Sequence, residues 1–375
     1  MSYGITSPFV HVFGSWKIAL LLASIALLGS PDPASAQQTV APEKVFGRQA
    51  CQVCHASEAT AWEHSSHNKK AWSLLDHPKA AGFAKALGVT DIKGASLCTQ
   101  CHGTQQKKAD KMIIAEGNSC ESCHGGAGGK GGWLFTHFDF GSGRRPTSKS
   151  KIDEFLADRT KETPAHRAAR DAAVKKAGMN RSADAFEIAS NCLQCHLVPN
   201  EKLVEAGHPM STRFEFVEWA QGEVRHNFLL DAKANAEAPT NWTDRNQGAT
   251  PEGRKRLMFV AGQLADLEVS LRTRAKVSET KRGSLGDEVN DRILDMQEEL
   301  ADHGIAELEP ILAAIASIDK KSLKEATPGD QATYTKAADA VAAGAKSFVT
   351  AHQDGTKLPE SIKIPSKAKG EPFKP

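Results

Sequence analysis

The chain has 375 residues, of which 40% are hydrophobic and 25% are charged, and its formal net charge is +2. A charge so close to zero favours neither nucleic acid nor a strongly charged surface as a partner. Aromatic residues make up only 6% of the chain, so a large core needs another source of bulky apolar surface.

Residues 1–36 have the features of a secretory signal peptide. Lys17 precedes an apolar run from Ile18 to Leu28, and Ala34-Ser35-Ala36 provides an A-x-A cleavage site. The run is short for a bilayer, so cleavage is favoured over an uncleaved anchor. Later segments are not apolar enough to span a membrane. The sequence therefore predicts an exported, periplasmic protein with no transmembrane segment after cleavage.

Four C-x-x-C-H motifs follow, and together they use all eight cysteines. Their cysteines are Cys51 and Cys54, Cys98 and Cys101, Cys120 and Cys123, and Cys192 and Cys195, and their histidines are His55, His102, His124 and His196. This pattern is typical of covalent c-type haem attachment, in which the thiols bind the porphyrin and the histidine ligates iron. Structural zinc and disulfides are the alternatives, but neither requires a histidine after every cysteine pair. We therefore predict four covalently bound c-type haems.

Short helices are predicted between these motifs. The segment Ser57–Leu75 places Trp62, His67, Ala71 and Leu74 near one helical face, and a smaller helix is expected around Lys79–Leu87. Thr163 as the N-cap and Pro164 at the first position predict a helix that ends near Gly178.

Residues 45–230 form the predicted tetrahaem domain. The second and third motifs begin only 22 positions apart, so we expect their haems to be close neighbours. With so little polypeptide for each porphyrin, the haems should form the core, and strand pairing is scarcely needed.

The composition changes beyond residue 230. We interpret residues 231–250 as a linker, residues 251–353 as an antiparallel bundle of three or four helices, and residues 357–375 as a disordered tail. The bundle is predicted from three segments in which apolar residues recur every three or four positions. These segments are Leu257–Leu271, Leu285–Leu300 and Tyr334–Phe348, and a helix break is expected near Gly304 and Pro310. The fold class is thus mostly α, a loop-rich multihaem region followed by the bundle.

The bundle is either a docking or dimerisation module or a cap over the haems, and His303 and His352 within it are expected to be exposed.

The second axial ligand of each iron decides the function, because two histidines saturate the iron whereas an open face admits a substrate. The favoured candidates for this ligand are His67, His137, His208 and His226. Less favoured are His166, His64 and His77, and the methionines Met112, Met179 and Met210. Arg213 and Arg225 are candidates to pair with haem propionates or to lie on a solvated helix face.

The chain resembles the tetrahaem cytochrome c-554 family over roughly Phe46–His196. The resemblance is carried by the order of the four motifs, by Trp62-Glu-His-Ser-Ser-His67 after the first motif, and by Cys120-Glu-Ser-Cys-His124-Gly-Gly at the third. It implies a mostly helical, loop-rich fold with closely stacked haem pairs and mainly bis-histidine irons, one of which can be five-coordinate. It also implies that His67 and His137 are distal ligands. A histidine that the family carries just before the fourth motif is missing from Phe186–Asn191.

Two functions fit these features. The first is an electron carrier that passes electrons between redox partners, such as other cytochromes, an oxidoreductase or a quinol-linked complex, with a homo-oligomer as an option. The second is a multihaem reductase that acts on a small nitrogen or sulfur oxyanion or on nitric oxide at one five-coordinate haem. Four plausible distal histidines for four irons favour the carrier, so we expect a protein that is not itself an enzyme.

Overall fold

A computed structural model describes residues 1, 40–129, 131–144, 151–158, 161–210, 214–224, 250–278, 280–325 and 330–370. Residues 2–36 of the predicted signal peptide and residues 231–249 of the predicted linker lie outside these ranges. Within the described ranges, we find no helix that is both long enough and apolar enough to cross a bilayer.

The described chain is mostly helical, as the sequence predicts. The helices are α1 (Arg48–Gln52), α2 (Ala56–His64), α3 (Ser66–Lys69), α4 (Pro78–Ala86), α5 (Ser96–His102), α6 (Cys120–His124), α7 (Leu134–His137), α8 (Ile152–Asp158), α9 (Pro164–Lys176), α10 (Ala185–His196), α11 (Glu201–Glu205), α12 (Phe216–Ala220), α13 (Pro251–Arg274), α14 (Leu285–Asp302), α15 (Glu309–Ile315), α16 (Lys320–Glu325) and α17 (Gln331–Ala351). Short 3-10 helices span Pro42–Lys44, Trp72–Asp76 and Ala306–Leu308.

The helix predicted from Ser57 to Leu75 is interrupted at Ser65. The backbone of Ser65 is extended, and its side chain accepts a hydrogen bond from the Asn68 amide. Serine satisfies free amides at a helix start in this way, so it ends α2 and begins α3. The single amphipathic helix is therefore a wrong prediction, and His67 lies on the short helix α3.

A two-stranded antiparallel sheet joins the second and third motifs, where the sequence indicated little need for strands. Strand β1 (Thr104–Lys108) pairs with β2 (Lys111–Glu116), with Lys108 opposite Lys111. The Thr104 hydroxyl donates to the Gly117 carbonyl and accepts from the Ser119 amide, at 2.8 and 2.9 Å. The hairpin thus returns the chain from α5 to the start of α6.

Helix α9 follows its sequence signals closely. The Thr163 hydroxyl accepts a hydrogen bond from the His166 amide, and Pro164 occupies the first helical position. Gly178 follows the helix with φ of +94°, a conformation that glycine adopts without strain.

The three segments with recurring apolar residues form the long helices α13, α14 and α17. Helix α13 packs against both α14 and α17, and also against α10, which carries the fourth motif. Helix α14 ends at Asp302, and α15 begins after Gly304, so the predicted break is confirmed.

One hydrophobic core joins these helices to the motif-bearing part of the chain. Ile188 and Leu193 of α10 and Val217 of α12 share this core with Leu264 of α13 and Val341 of α17. The described residues from 40 to 370 accordingly belong to a single compact unit. The described residues on either side of the predicted linker are therefore not separately packed.

We expect Leu264→Ala to lower the free energy of unfolding by about 2–5 kcal/mol, because Leu264 is fully buried and its loss leaves a cavity. Since the core is shared, the variant should show one unfolding transition, at a lower denaturant concentration than the wild type. Soret absorbance and far-ultraviolet circular dichroism should give the same midpoint. Two separate transitions would contradict a single core.

The structure bears on two predictions near the C-terminus. Of the predicted tail, residues 357–370 pack against the rest of the chain, because Leu358 and Ile362 are buried in the core and the Lys369 amide donates to the Glu218 carbonyl at 2.8 Å; residues 371–375 lie outside the described ranges. His352 is 4% exposed rather than solvent-facing, and it packs against Phe348. A few apolar side chains suffice to anchor this lysine- and proline-rich segment.

Candidate haem-binding site

Each C-x-x-C-H motif occupies a helical turn. Helices α5, α6 and α10 end at the histidines of the last three motifs, and α1 carries Cys51 of the first. The amides of Cys54 and His55 both donate to the Cys51 carbonyl, so the turn continues through the first motif. Cysteines three positions apart on a helical turn lie on one face, so each pair presents both thiols in one direction.

All four motifs face a common cavity of about 1510 Å³. Its lining includes the eight cysteines and the four motif histidines, and all eight cysteines are free thiols. Ligand pockets usually measure about 300–1000 Å³, so this cavity is large for a single small molecule. Its donor set, paired thiols each followed by an imidazole, fits covalently attached haem.

Backbone carbonyls orient two of the motif histidines. Nδ1 of His102 lies 3.0 Å from the Ala71 carbonyl oxygen, and Nδ1 of His124 lies 2.7 Å from that of Asn180. A carbonyl can only accept, so Nδ1 of each ring carries the proton and Nε2 is the unprotonated nitrogen. This is the tautomer that a metal requires when it binds through Nε2.

Three motif histidines each face a second histidine across the cavity. The ring centroids are 6.1 Å apart for His55 and His137, 6.1 Å for His102 and His208, and 6.0 Å for His196 and His67. Two imidazoles on opposite sides of one metal, each with a metal–nitrogen distance of about 2 Å, place their centroids about 6 Å apart. The separations therefore fit pairs that hold one iron between them.

Contacts between thiols bring the motifs together in a second way. Cys51 and Cys120 are in side-chain contact, and so are Cys101 and Cys195. The first motif is thus adjacent to the third, and the second to the fourth. Asn118 adds a link between the second motif and α3, because its side chain donates to the Cys101 carbonyl at 2.7 Å and its amide donates to that of His67 at 3.0 Å.

Residues 50–125, which contain the first three motifs, match the family model described as cytochrome c554 and c-prime. The resemblance to the cytochrome c-554 family is confirmed. Cytochrome c-554 of Nitrosomonas europaea is 33% identical over 100 residues, which cover 24% of this chain and 42% of the relative. The chain thus aligns with less than half of this curated relative. No solved structure matches the chain.

Burial also affects the protonation of the histidines that line the cavity. Burial lowers the pKa of His196 to about 4, and it also lowers the pKa values of His67 and His102. These rings are therefore neutral at neutral pH, which is the form that ligates a metal.

The other candidate ligands have different surroundings. His226, Arg213 and Arg225 lie outside the described residues. His77 lines the cavity, as do Met179 and Met210, whereas Met112 is 44% exposed. Nδ1 of His166 contacts a Glu162 carboxylate oxygen at 2.9 Å, and Nδ1 of His64 contacts the Thr60 carbonyl at 2.8 Å; neither lines the cavity.

Sequence reasoning missed the aromatic residues that enclose the fourth motif. Phe214 stacks on His196 with ring centroids 4.9 Å apart, and Trp219 lies 4.9 Å from His196 and 5.8 Å from His67. Their sequence signal is the cluster FEFVEW, in a chain that otherwise has few aromatic residues. These rings cover part of the His196–His67 pair.

Proposed function

We propose that this protein is an exported tetrahaem c-type cytochrome that transfers electrons between redox partners. The carrying observation is the set of three histidine pairs around one cavity that all eight cysteines line. Three haems are then bis-histidine, ligated by His55 with His137, His102 with His208, and His196 with His67.

The fourth haem is attached through Cys120 and Cys123, with His124 as its proximal ligand. His226 remains our candidate for its distal ligand. With two imidazoles on an iron, no face is left for a substrate, and the haem exchanges electrons only. In the proposal, the chain supplies ligands, hydrogen bonds and a dry cavity that set the reduction potentials of the haems.

The thiol contacts between motifs support electron passage within the protein. Cys51 and Cys120, and likewise Cys101 and Cys195, would hold neighbouring haems, which would supply the electron-transfer chemistry. The relative's name, cytochrome c-554, is consistent with this role. The partners are then other redox proteins, from which electrons arrive and to which they leave.

The decisive experiment is spectroscopy of the purified, haem-loaded protein. Its intact mass should equal the chain from Gln37 plus four haems, and its oxidised paramagnetic resonance spectrum should contain low-spin ferric signals for at least three haems. Reversible reduction without substrate turnover supports the carrier. A high-spin component that shifts on addition of nitrite or nitric oxide would instead support a reductase.

A further inference from the structure

The Nδ1 atom of His67 faces a different kind of partner from those of His102, His124 and His208. The Nδ1 atoms of His102, His124 and His208 contact backbone carbonyl oxygens at 2.7–3.0 Å. Nδ1 of His67 instead faces Oε1 of Glu223 at 3.6 Å. Both atoms are buried, and neither has a hydrogen-bond partner among the described residues.

A buried carboxylate oxygen that lacks a hydrogen bond is costly, and so is a buried ring nitrogen. The Glu223 side chain is 11% exposed and that of His67 is 21% exposed. A movement of about 0.7–0.9 Å joins the two atoms in a hydrogen bond of ordinary length, about 2.7–2.9 Å for a charged acceptor. Each atom thus has the other as its available partner.

We propose that the Glu223 carboxylate accepts the Nδ1–H hydrogen bond of His67 and thereby lowers the reduction potential of the haem attached through Cys192 and Cys195. The inference rests on the proposed function, in which His67 and His196 ligate that iron. A carboxylate partner increases the electron donation of an imidazole more than a carbonyl does, and it favours the more positive, oxidised iron.

The first motif offers a comparison. Oε1 of Glu58 lies 3.8 Å from Nδ1 of His55, but the His55 ring is 47% exposed, whereas that of His67 is 21% exposed. Water and ions screen a charge near an exposed group far more than near a buried one. Glu58 should therefore affect its haem less than Glu223 affects the haem of the fourth motif.

The C-terminal segment 365–370, which we call the strap, holds Glu223 in place. The Glu223 amide donates to the Lys369 carbonyl at 3.0 Å, and the Lys369 amide donates to the Glu218 carbonyl at 2.8 Å. The Gln221 amide group donates to the carbonyls of Pro365 and Lys367, at 2.8 and 2.7 Å.

Two further contacts fix the carboxylate and its backbone. The other Glu223 oxygen, Oε2, accepts a hydrogen bond from the Ser66 amide at 3.2 Å, and Ser66 is the neighbour of His67. A Cβ at position 222 would collide with the Lys369 backbone, so Gly222 is what allows the strap to approach so closely.

The test is a potentiometric titration of haem-loaded Glu223→Gln, followed by absorption and paramagnetic resonance. We expect one of the resolved haem potentials to rise and one low-spin signal to change, while the other haems titrate as in the wild type. Glu218→Gln makes the same charge change five residues earlier and should leave every potential in place. Equal shifts in both variants, or none in Glu223→Gln, would overturn the proposal.

A second variant tests the strap without changing any charge. Gly222→Ala should displace Lys369 and with it Glu223, so the same haem potential should rise. Gly82→Ala is the matched control, because a Cβ at position 82 meets no atom within 4 Å.

If the wild type cannot be reduced reversibly, the proposed function fails. If it can, and both Glu223→Gln and Gly222→Ala titrate like the wild type, only this inference fails.

Discussion

Replacement of His208 by alanine should convert one low-spin haem into a high-spin haem. In the proposed ligation, His208 and His102 share the iron of the second motif, and their ring centroids lie 6.1 Å apart. The loss of one imidazole leaves that iron with an open face, which weakens its ligand field. Paramagnetic resonance of the oxidised protein should show one haem equivalent of high-spin signal and a matching loss of low-spin signal.

His77→Ala is the control for this experiment. His77 lines the same cavity, but its Nδ1 atom accepts the Lys79 amide hydrogen bond at the start of α4. Its removal should leave the spin state unchanged and cost about 1 kcal/mol of stability through loss of the cap. A high-spin signal in His77→Ala, with none in His208→Ala, would reverse the two assignments.

The attachment residues could be identified from sequence because their spacing is local. Two thiols and an imidazole within five positions define each motif, and no tertiary information is needed. The histidine pairs are different, because they join distant positions such as His55 and His137. Pro209 directly after His208 and the apolar neighbours of His137 are local features of the sequence, and such features do not indicate which motif histidine each one faces.

The assignment of His67 as a distal ligand stays a prediction, but the helical argument used for it does not hold. The segment Ser57–Leu75 was expected to form one helix, which the structure interrupts at Ser65. His67 lines the cavity from the short helix α3. Its backbone carbonyl accepts a hydrogen bond from the Asn118 amide, and it does not lie on one continuous helix with Trp62. A periodicity argument cannot detect such a break, since the capping serine is polar and fits the exposed side of either pattern.

The fold was predictable where helices were long and amphipathic, as in α13, α14 and α17. The shared core was not predictable, because α10 reads as the end of one region and α13 as the start of another. Residues such as Ile188 and Leu264 are compatible with many partners, and only the tertiary structure brings them together. The hairpin at Thr104–Glu116 was missed because its first strand, TQQKK, has little strand propensity and gains its stability from the motifs that it joins.

Protonation of the Glu162 carboxylate should destabilise the protein in acid. Its side chain is fully buried and accepts hydrogen bonds from Nε and Nη2 of Arg170, at 2.7 and 2.8 Å, and from His166 Nδ1 at 2.9 Å. Arg170 also donates to the His137 carbonyl at 3.0 Å. The network therefore ties helix α9 to a residue of the proposed haem site.

Burial by itself raises the pKa of Glu162, but the hydrogen bonds from Arg170 and His166 and the charges of Arg170 and Arg167 outweigh it and hold that pKa at about 2. The ordinary value is 4.5, and the difference corresponds to roughly 3 kcal/mol of folding free energy. A carboxylate with a lowered pKa contributes fully above the unfolded-state value. Its contribution is lost as the pH falls from about 4.5 towards 2.

Glu162→Gln should therefore lower the free energy of unfolding at pH 7 by about 3–5 kcal/mol, because it leaves the Arg170 guanidinium buried without its counter-charge. The difference between this variant and the wild type should shrink when denaturant titrations are repeated near pH 3. Glu154→Gln, at an exposed position of α8, should change stability by less than about 0.5 kcal/mol at either pH. A Glu162→Gln deficit that stays constant from pH 7 to pH 3 would show that shape rather than charge accounts for the loss, because protonation removes only the charge.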